Sequence, residues 1–489
     1  MSPPEPAYAS AAELAGWIRR RQISPVEAMD AAIERIQRDN RRLNALVHLD
    51  LDQARRRARE AERAVMAGEA LGPLHGVPTA MKDLFDFKPG WPSTFGGVRA
   101  LKDFVPDFWC AWAERMERGG AIIVGKTNSP VMGFRGTCDN PLFGPSRNPF
   151  DTARNTGGSS GGSAAVVAAG MLPLAEGTDG GGSVRIPASW CGVYGYKQSF
   201  GRVPYIARPN GFTGLHPFLS EGVLTRTVED AALFLDTVAG HDARDPFALD
   251  EPAAFSGTVR ASIRGLRIAY SPDFDVFPVD GRVRKAVGAA VLAFEEAGAR
   301  VEEVKLGIGH DQRELSDLWC RLIIPINVET FESFKAQGLD LLAEHRDDFP
   351  PEYLRWIDEG YRLTVPQLMR DEEMRTEVYD AIDAVFADHD LLVTPTLACL
   401  PVENAADGNT KGPSSIDGVE VDPLIGWCLT YPVNFSGHPA ASVPAGMAEG
   451  LPVGMQLIGR RYADADVLAA SAAFERIRPW RDTYRLIER

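Results

Sequence analysis

Two serines in one glycine-rich stretch are the residues of this sequence best suited to chemistry. Ser159 stands in GGSSGG, and Ser183 stands in GGGSVR, 24 residues further along the chain. Glycine has no Cβ, so the backbone N–H groups around such a serine can turn toward a bound anion or a developing negative charge. These surroundings suit a phosphate cradle, a nucleophile elbow or a hydrolytic serine of another type.

The phosphate interpretation fails on residue types. Gly157 and Gly162 have the spacing of a Walker A loop, but Ser163 and Ala164 stand where that loop needs Lys and Ser or Thr. No lysine follows that could reach a phosphate. The sequence also lacks a G-x-G-x-x-G motif between a predicted strand and a predicted helix, so nucleotide binding is excluded on both counts.

The elbow interpretation, that of an α/β-hydrolase esterase, has a motif but not the right context. G-x-S-x-G fits twice, centred on Ser159 and on Ser160. An elbow needs an apolar strand before the serine, whereas the preceding residues NPFDTARNT are polar and include a proline. None of the eight histidines has a flanking pattern that marks a base. The esterase therefore stays an alternative that the sequence disfavours.

An upstream lysine supplies a different base. The segment GVPTAMKD predicts a strand that ends at Lys82 and Asp83. A lysine at the end of an apolar strand is partly desolvated, which lowers its pKa. An uncharged lysine can take a proton from a serine without any histidine. Lys82, Ser159 and Ser183 therefore form the third candidate site.

The order of these motifs resembles the amidase signature family. The matching blocks are Lys82–Asp83, GGSSGGSAA (157–165), GTDGGGSVRIPAS (177–189), CGVYGYK (191–197), PVNFSGHPAASVPAG (432–446) and LPVGMQLIG (451–459). The two serines also have the spacing of the family pattern. The likeness runs from about residue 10 to the end and is weakest between 310 and 420.

The resemblance implies a Ser-cisSer-Lys triad. Ser183 is then the nucleophile that carries an acyl group, Lys82 is the base, and Ser159 bridges them after a cis peptide bond from Gly158. The relay returns the proton to the leaving nitrogen, which makes the expected activity hydrolysis of a C–N bond in an amide, anilide or carbamate. The resemblance implies neither a metal nor an organic cofactor.

The residues around the nucleophile have expected supporting roles. Backbone N–H groups are expected to form the oxyanion hole, from Gly180, Gly181, Gly182 and Ser183. Asp179 and Arg185 flank the nucleophile with opposite charges and are expected to support the site, although a simple ion pair that holds the turn fits equally well. Ser160 is a further candidate support, or a small residue at a tight helix start. Thr178 is expected to pack within the loop, and Cys191 to be buried in the core.

The elements that position these residues predict an α/β fold, which in the family is a large mixed sheet with helices on both faces. Short apolar strands alternate with helical segments from Gly76 onward. We expect one domain in four segments: a helical start (1–75), the amidase signature core (76–310), a helical, aromatic-rich insertion (311–385) that could cap the site, and closing strands and helices (386–489).

The net charge and the pattern of cysteines limit the kinds of partner and the cellular location that we expect for the protein. The formal net charge is −15, with no Lys/Arg-rich run to follow a nucleic-acid backbone. The sequence has neither a signal peptide at its start nor an apolar stretch long enough to span a membrane. Six cysteines without a C-x-x-C pair suit a reducing cytoplasm. A small molecule is thus the expected partner, and the oligomeric state stays open between a monomer and a homodimer.

Two other functions remain on the same fold. The glutamine-hydrolysing subunit of a tRNA-dependent amidotransferase shares the triad, but its serine-leucine-aspartate-glutamine run is absent from HPFLSEGVLTRT (216–227). A catalytically silent binding protein would not need the complete lysine and serine set. Among amidases, the likeness is to aryl acylamidases, urethanases and the cyclic-dimer hydrolase of nylon oligomers. The aromatic residues between 310 and 361 favour an apolar substrate, although core packing explains them equally well.

Overall fold

The computed structural model describes residues 6–251 and 254–487. Its helices are α1 (Ala11–Arg19), α2 (Pro25–Leu43), α3 (Leu51–Ala67), α4 (Ala111–Arg118), α5 (Gly161–Ala168), α6 (Arg185–Cys191), α7 (Val228–Val238), α8 (Gly281–Val291), α9 (Ala293–Glu296), α10 (Gln312–Ala336), α11 (Leu341–Glu344), α12 (Pro351–Gly360), α13 (Val365–Val385), α14 (Tyr431–Ser436) and α15 (Asp464–Ile477). Its strands are β1 (Leu46–Leu49), β2 (Pro78–Lys82), β3 (Ile122–Thr127), β4 (Leu174–Asp179), β5 (Tyr194–Lys197), β6 (Ser220–Thr225), β7 (Arg267–Tyr270), β8 (Arg300–Glu303), β9 (Leu391–Pro395), β10 (Ser415–Ile416), β11 (Val419–Glu420), β12 (Ala440–Ala448) and β13 (Leu451–Gly459).

Local sequence signals set several of these boundaries. Helix α2 begins after Ser24, whose side chain accepts from the N–H of Glu27 while Glu27 caps the N–H of Ser24 in return. Strands β12 and β13 form a hairpin, and its turn places Glu449 and Gly450 at positive φ of 53° and 79°. Two positive φ values match the twist of a two-residue hairpin turn.

The main sheet has eight strands in the order β4-β6-β5-β12-β13-β9-β7-β8. Neighbours are antiparallel from β4 to β9, and β9, β7 and β8 are parallel, so the sheet is mixed. Alternate residues of β5 face different helices. Tyr194 and Tyr196 bond to α15, whereas Gly195 lies against Ala188 of α6. The predicted α/β fold, with helices on both faces of a large mixed sheet, is confirmed.

A second, smaller sheet carries the lysine. Its order is β1-β3-β2, with β2 parallel to β3 and β1 antiparallel to it. Side chains join β2 to the main sheet, because Thr79 Oγ1 donates to Leu174 O (3.2 Å) and the N–H of Lys82 donates to Glu176 Oε2 (2.6 Å). The end of β2 therefore lies beside β4, which leads to Ser183, the predicted nucleophile.

The stretch expected as an insertion consists of helices, from α10 to α13. Trp319 and Ile323 of α10 reach the cavity beside Ser183, while Phe331 packs with Phe349 and Tyr353 in a buried cluster. The four segment boundaries given above stay predictions. Within residues 6–251 and 254–487, no helix is both long enough and apolar enough to cross a bilayer.

Candidate active site

The predicted base and bridging serine are in direct contact. Lys82 is fully buried at the end of β2, and its Nζ donates to Ser159 Oγ at 2.7 Å. A second hydrogen bond, at 2.8 Å, joins Lys82 Nζ to Thr178 Oγ1 on β4. The sequence-based expectation that Thr178 only packs within the loop is therefore wrong, since this hydroxyl helps to fix the amine beside Ser159.

Two buried carboxyls lie behind the lysine. Burial lowers the pKa of Lys82 to about 8, and the negative charges of Glu176 and Asp86 oppose that shift. Burial also raises the pKa of Asp86 to about 6 and holds the pKa of Glu176 well above its usual range. Both Asp86 oxygens and Glu176 Oε1 are buried without a hydrogen-bond partner in the described part of the chain. Two adjacent buried carboxyls ionise together only with difficulty, and the charge of Asp86 adds to the rise in the pKa of Glu176.

Ser159 lies in the first glycine-rich segment, GGSSGG (157–162). The Gly158–Ser159 peptide bond is cis, as the resemblance implies. Ser160 follows as the N-cap residue of α5, and its N–H donates to Ser183 O at 3.1 Å. Ser160 Oγ donates to Thr178 O at 3.4 Å. Ser160 therefore joins the bridging and nucleophile segments.

Ser183 lies in the loop between β4 and α6, and its side chain is half-buried. Ser183, Ser159 and Thr178 line one cavity of about 50 Å³. Among the residues that the structure describes, the Ser183 hydroxyl forms no hydrogen bond, so the contact to Ser159 expected for the relay is not formed. Catalytic hydrogen bonds in unliganded enzymes often tighten only when substrate binds.

Asp179 and Arg185 form a fully buried ion pair of 2.8 Å. Burial alone would raise the pKa of Asp179, but the charge and hydrogen bonds of Arg185 hold it well below its usual range. Arg185 also donates to Thr430 O (2.9 Å) and Asn434 Oδ1 (2.6 Å). The pair thus holds the nucleophile turn against the C-terminal part of the chain, and neither side chain faces the cavity lined by Ser183.

The expected oxyanion hole needs one correction. The N–H of Gly182 donates to Asp179 Oδ1 at 2.8 Å, so it is bonded within the turn and does not wait for substrate. Gly180, Gly181 and Ser183 do line the cavity, and within the described residues their N–H groups donate no hydrogen bond. Gly182 is therefore not one of the oxyanion donors, contrary to the expectation from the sequence. The sequence could not show that the N–H of Gly182 is already bonded. Which N–H donates to the Asp179 carboxylate depends on the folded shape of the turn.

The cavity around the serines contains no acidic or basic residue among those described. Its lining consists of Leu84, Phe85, Met132, Gly133, Ser159, Thr178, Gly180, Gly181, Ser183, Tyr205, Leu219, Ser220, Trp319 and Ile323. Cys191 is fully buried, and burial raises the pKa of its thiol well above the ordinary value, so it packs in the core as expected. The two serine hydroxyls, with the lysine amine behind Ser159, are the groups that the sequence predicts to react.

The sequence from residue 27 to residue 468 matches the protein family described as Amidase. The chain belongs to the amidase signature family. This amidase is 37% identical over 482 residues to an acylamidase of Rhodococcus erythropolis, with 97% of this chain and 96% of that relative covered. It is 34% identical over 493 residues to a glutamyl-tRNA(Gln) amidotransferase subunit of Moorella thermoacetica, with 96% of each covered.

Solved structures agree with this membership. A bacterial aryl acylamidase of the amidase signature enzymes superposes on the chain with a TM-score of 0.97 and 49% sequence identity, and 99% of each chain is covered. 6-Aminohexanoate cyclic dimer hydrolase, in complex with its substrate, gives 0.86 and 28%, with 97% of this chain and 98% of that chain covered. The protein is a hydrolase of carbon–nitrogen bonds in non-peptide amides.

Proposed function

We propose that this amidase cleaves amides whose acyl or amine part is apolar and aromatic, with Ser183 as nucleophile, Ser159 as proton bridge and Lys82 as base. The observation that carries the proposal is the uncharged lining of the cavity beside Ser183. A charged substrate group placed there would lose water without gaining an ionic partner, which is costly. An apolar group loses nothing by the same transfer and gains burial.

A second cavity supports the choice of an aromatic group. It has a volume of about 200 Å³ and shares Phe85 and Tyr205 with the cavity around the serines. Its walls are mainly aromatic, with the rings of Phe85, Phe87, Phe95, Phe104, Phe108 and Phe334, and its lining also includes Arg208 and Glu329. An apolar cavity of about 150 Å³ is large enough to bind benzene. An aryl ring can therefore occupy this space while its amide lies beside Ser183.

The proposed first half-reaction forms an acyl-enzyme. Uncharged Lys82 accepts the proton of Ser159 across the 2.7 Å contact, while Ser159 accepts the proton of Ser183. Ser183 Oγ bonds to the carbonyl carbon, and the carbonyl π electrons move to its oxygen. The N–H groups of Gly180, Gly181 and Ser183 stabilise that oxyanion.

The relay then runs in reverse. The oxyanion re-forms the carbonyl, the C–N bond breaks, and the proton held on Lys82 returns through Ser159 to the nitrogen. The amine leaves uncharged, which avoids a high-energy amide anion. Water next attacks the acyl ester through the same relay and releases the carboxylic acid, which regenerates the free Ser183 hydroxyl.

The amidotransferase alternative fits the cavity poorly. Free glutamine carries an ammonium and a carboxylate on its α-carbon, and both need charged or strongly polar partners. The stretch 216–227 supplies Leu219 and Ser220 to the cavity, and neither has a charge to offer. The relatives named as acylamidases point the same way as this geometry.

A substrate panel tests the proposed function. We expect the wild type to hydrolyse anilides and aryl carbamates faster than short aliphatic amides, esters of matched acyl group, or glutamine. Ser183→Ala and Lys82→Ala should lose about 10⁴-fold or more in kcat, because members of a triad act as a unit. Ser159→Ala should lose less.

Ser163→Ala is the matched control, because this nearby serine bonds to Thr127 Oγ1 and does not line the cavity. It should keep wild-type turnover. Activity retained in Ser183→Ala, or glutamine as the best substrate, contradicts the proposal.

We further propose a reducing cytoplasmic location and a small-molecule substrate without nucleic-acid or membrane partners. All six thiols are free and none is highly exposed, which supports the reducing location.

A homodimer is proposed as the assembly. Light scattering measures its mass directly, and a monomer of 53.2 kDa would refute it.

A further inference from the structure

Three side chains donate hydrogen bonds to carbonyl groups of the loop 179–183, which carries the proposed oxyanion donors. Asn434 Nδ2 donates to Asp179 O (3.1 Å), Trp319 Nε1 to Gly180 O (3.0 Å) and Thr430 Oγ1 to Gly181 O (2.7 Å). In a trans peptide the C=O of one residue and the N–H of the next point in opposite directions. Each hydrogen bond to a carbonyl group therefore also fixes the direction of the N–H of the next residue.

The hydrogen bond from Thr430 to Gly181 O shows that the carbonyl and the next N–H point in opposite directions in this loop. It fixes Gly181 O, and the N–H of Gly182 then points away and reaches Asp179 Oδ1 at 2.8 Å. By the same geometry, the bond from Trp319 to Gly180 O turns the N–H of Gly181 away from the indole. That N–H has no acceptor within the described residues, and Gly181 lines the cavity beside Ser183.

The indole of Trp319 is itself held firmly. Its ring is 2% exposed and stacks on Trp356 with centroids 5.8 Å apart. It also lies so close to Gly181 that a Cβ there would come within 2.7 Å of three ring atoms. Contact and hydrogen bond together leave the Gly180–Gly181 peptide little freedom to rotate.

We propose that Trp319 is a positioning residue for the hydrolysis: its indole N–H fixes the Gly180–Gly181 peptide plane so that the N–H of Gly181 is aimed at the oxyanion. The proposal rests on the proposed function, because it takes Ser183 as the nucleophile. It assigns to α10, in the part of the chain with the weakest family likeness, a role in the chemistry itself as well as in lining the cavity.

Trp319→Phe tests the proposal, because it removes the N–H and keeps an aromatic ring. We expect kcat for an anilide to fall by about tenfold or more, against the 10²- to 10³-fold typical for outright loss of an oxyanion donor. KM should stay within about threefold. Binding of a trifluoromethyl ketone, which forms a tetrahedral adduct on the serine, should weaken by the same factor as kcat.

An isosteric variant separates the N–H from the shape of the ring. Benzothienylalanine at position 319 replaces the N–H by sulfur with the bicyclic outline kept, and it should reproduce the loss in kcat. Trp112→Phe is the control, because this buried indole lies outside both cavities and its N–H has no hydrogen-bond partner among the described residues, and it should keep kcat within about threefold. Thermal unfolding midpoints check that each variant is folded.

Unchanged kcat in both Trp319 variants, or a rise in KM alone, would overturn the proposal and leave Trp319 as a cavity wall. Failure of the proposed function is distinguishable, because it would appear as turnover in Ser183→Ala whatever Trp319 does. A loss in kcat without weaker ketone binding would also overturn the positioning role.

Discussion

At Lys82, burial and neighbouring carboxyls act in opposite directions on one amine. Burial favours the uncharged form, whereas Glu176 and Asp86 favour the ammonium, and the resulting pKa is about 8. The uncharged form is the base that the proposed mechanism needs. The carboxyls keep the amine protonated at lower pH, which places the titration where mildly alkaline conditions activate it.

We therefore expect kcat/KM to rise with pH through about 8 and to level off above it, as the uncharged fraction of Lys82 grows. A pH–rate profile with an anilide measures this limb. Lys82→Arg should be inactive across the profile, since guanidinium stays protonated. An acid optimum would contradict the assignment of the base.

Replacement of Asp86 is expected to shift the rising limb of the pH–rate profile. Its charge raises the pKa of Lys82, and with its own pKa of about 6 the group is largely ionised where Lys82 titrates. Asp86→Asn should therefore shift the rising limb to lower pH. Asp103→Asn, at an exposed carboxyl, is the control and should leave the limb in place. A limb that stays unmoved in Asp86→Asn would show that this charge does not act on the lysine.

The sequence showed the reactive residues better than their neighbours. Lys82, Ser159 and Ser183 stand in recognisable motifs. Thr178 also stands in one, but its contact with Lys82 depends on two strands from different sheets lying side by side. Nothing in the motif indicates which hydroxyl the amine will meet, so the role of Thr178 could be found only in the fold.

At the scale of the element, α10 has two kinds of aromatic residue that the sequence could not separate. Trp319 and Phe334 line cavities, while Phe331 belongs to a buried cluster with Phe349 and Tyr353. All are apolar and at helical spacing, and the choice between core and cavity depends on what packs against each turn. The cap over the site stays a prediction, and only part of the aromatic set lines the two cavities.

The aromatic cavity gives a prediction on substrate choice. Phe334 contacts Phe95 and Phe104 with ring centroids 5.2 and 5.4 Å apart. Phe334→Ala should lower kcat/KM for an anilide by about tenfold or more and change short aliphatic amides much less, because only the aryl group uses that surface. Phe331→Leu, away from the cavity, is the control. An equal loss on both substrates would show general damage and not lost recognition.

At the scale of the whole molecule, buried charge ties stability to pH. Lys197 is fully buried on β5, and burial together with the charge of Arg185 lowers its pKa to about 7, against the partial opposition of Asp179 and Asp464. An unfolded chain would hold that proton up to its ordinary pKa of 10.5. Between these values the unfolded state binds more protons, so the free energy of unfolding rises with pH.

Lys197→Met should remove this contribution. We expect urea unfolding at pH 7, 8 and 9 to give a free energy of unfolding that increases with pH more steeply for the wild type than for the variant, by at most about 1.4 kcal/mol per pH unit. Parallel slopes for the two proteins would contradict the assignment.

The overall α/β architecture could be predicted because strands and helices alternate with clear apolar patterns from Gly76 onward. The contact between the two sheets could not be predicted from the sequence. The contact between β2 and β4 depends on Lys82 and Glu176, which lie 94 positions apart and carry no mutual signal in one sequence. The carboxyl pair behind the lysine was missed for the same reason.

The buried Asp179–Arg185 pair has a consequence for biosynthesis. Its C-terminal partners, Thr430, Asn434 and Gln456, are made late, whereas Lys82, Ser159 and Ser183 are made within the first 183 residues. A ribosome-bound chain thus carries its reactive amine and hydroxyls long before the nucleophile turn has its C-terminal supports. The ion pair gains these C-terminal hydrogen bonds only after residue 456 has been made, so the turn that carries Ser183 reaches its final set of contacts late in synthesis.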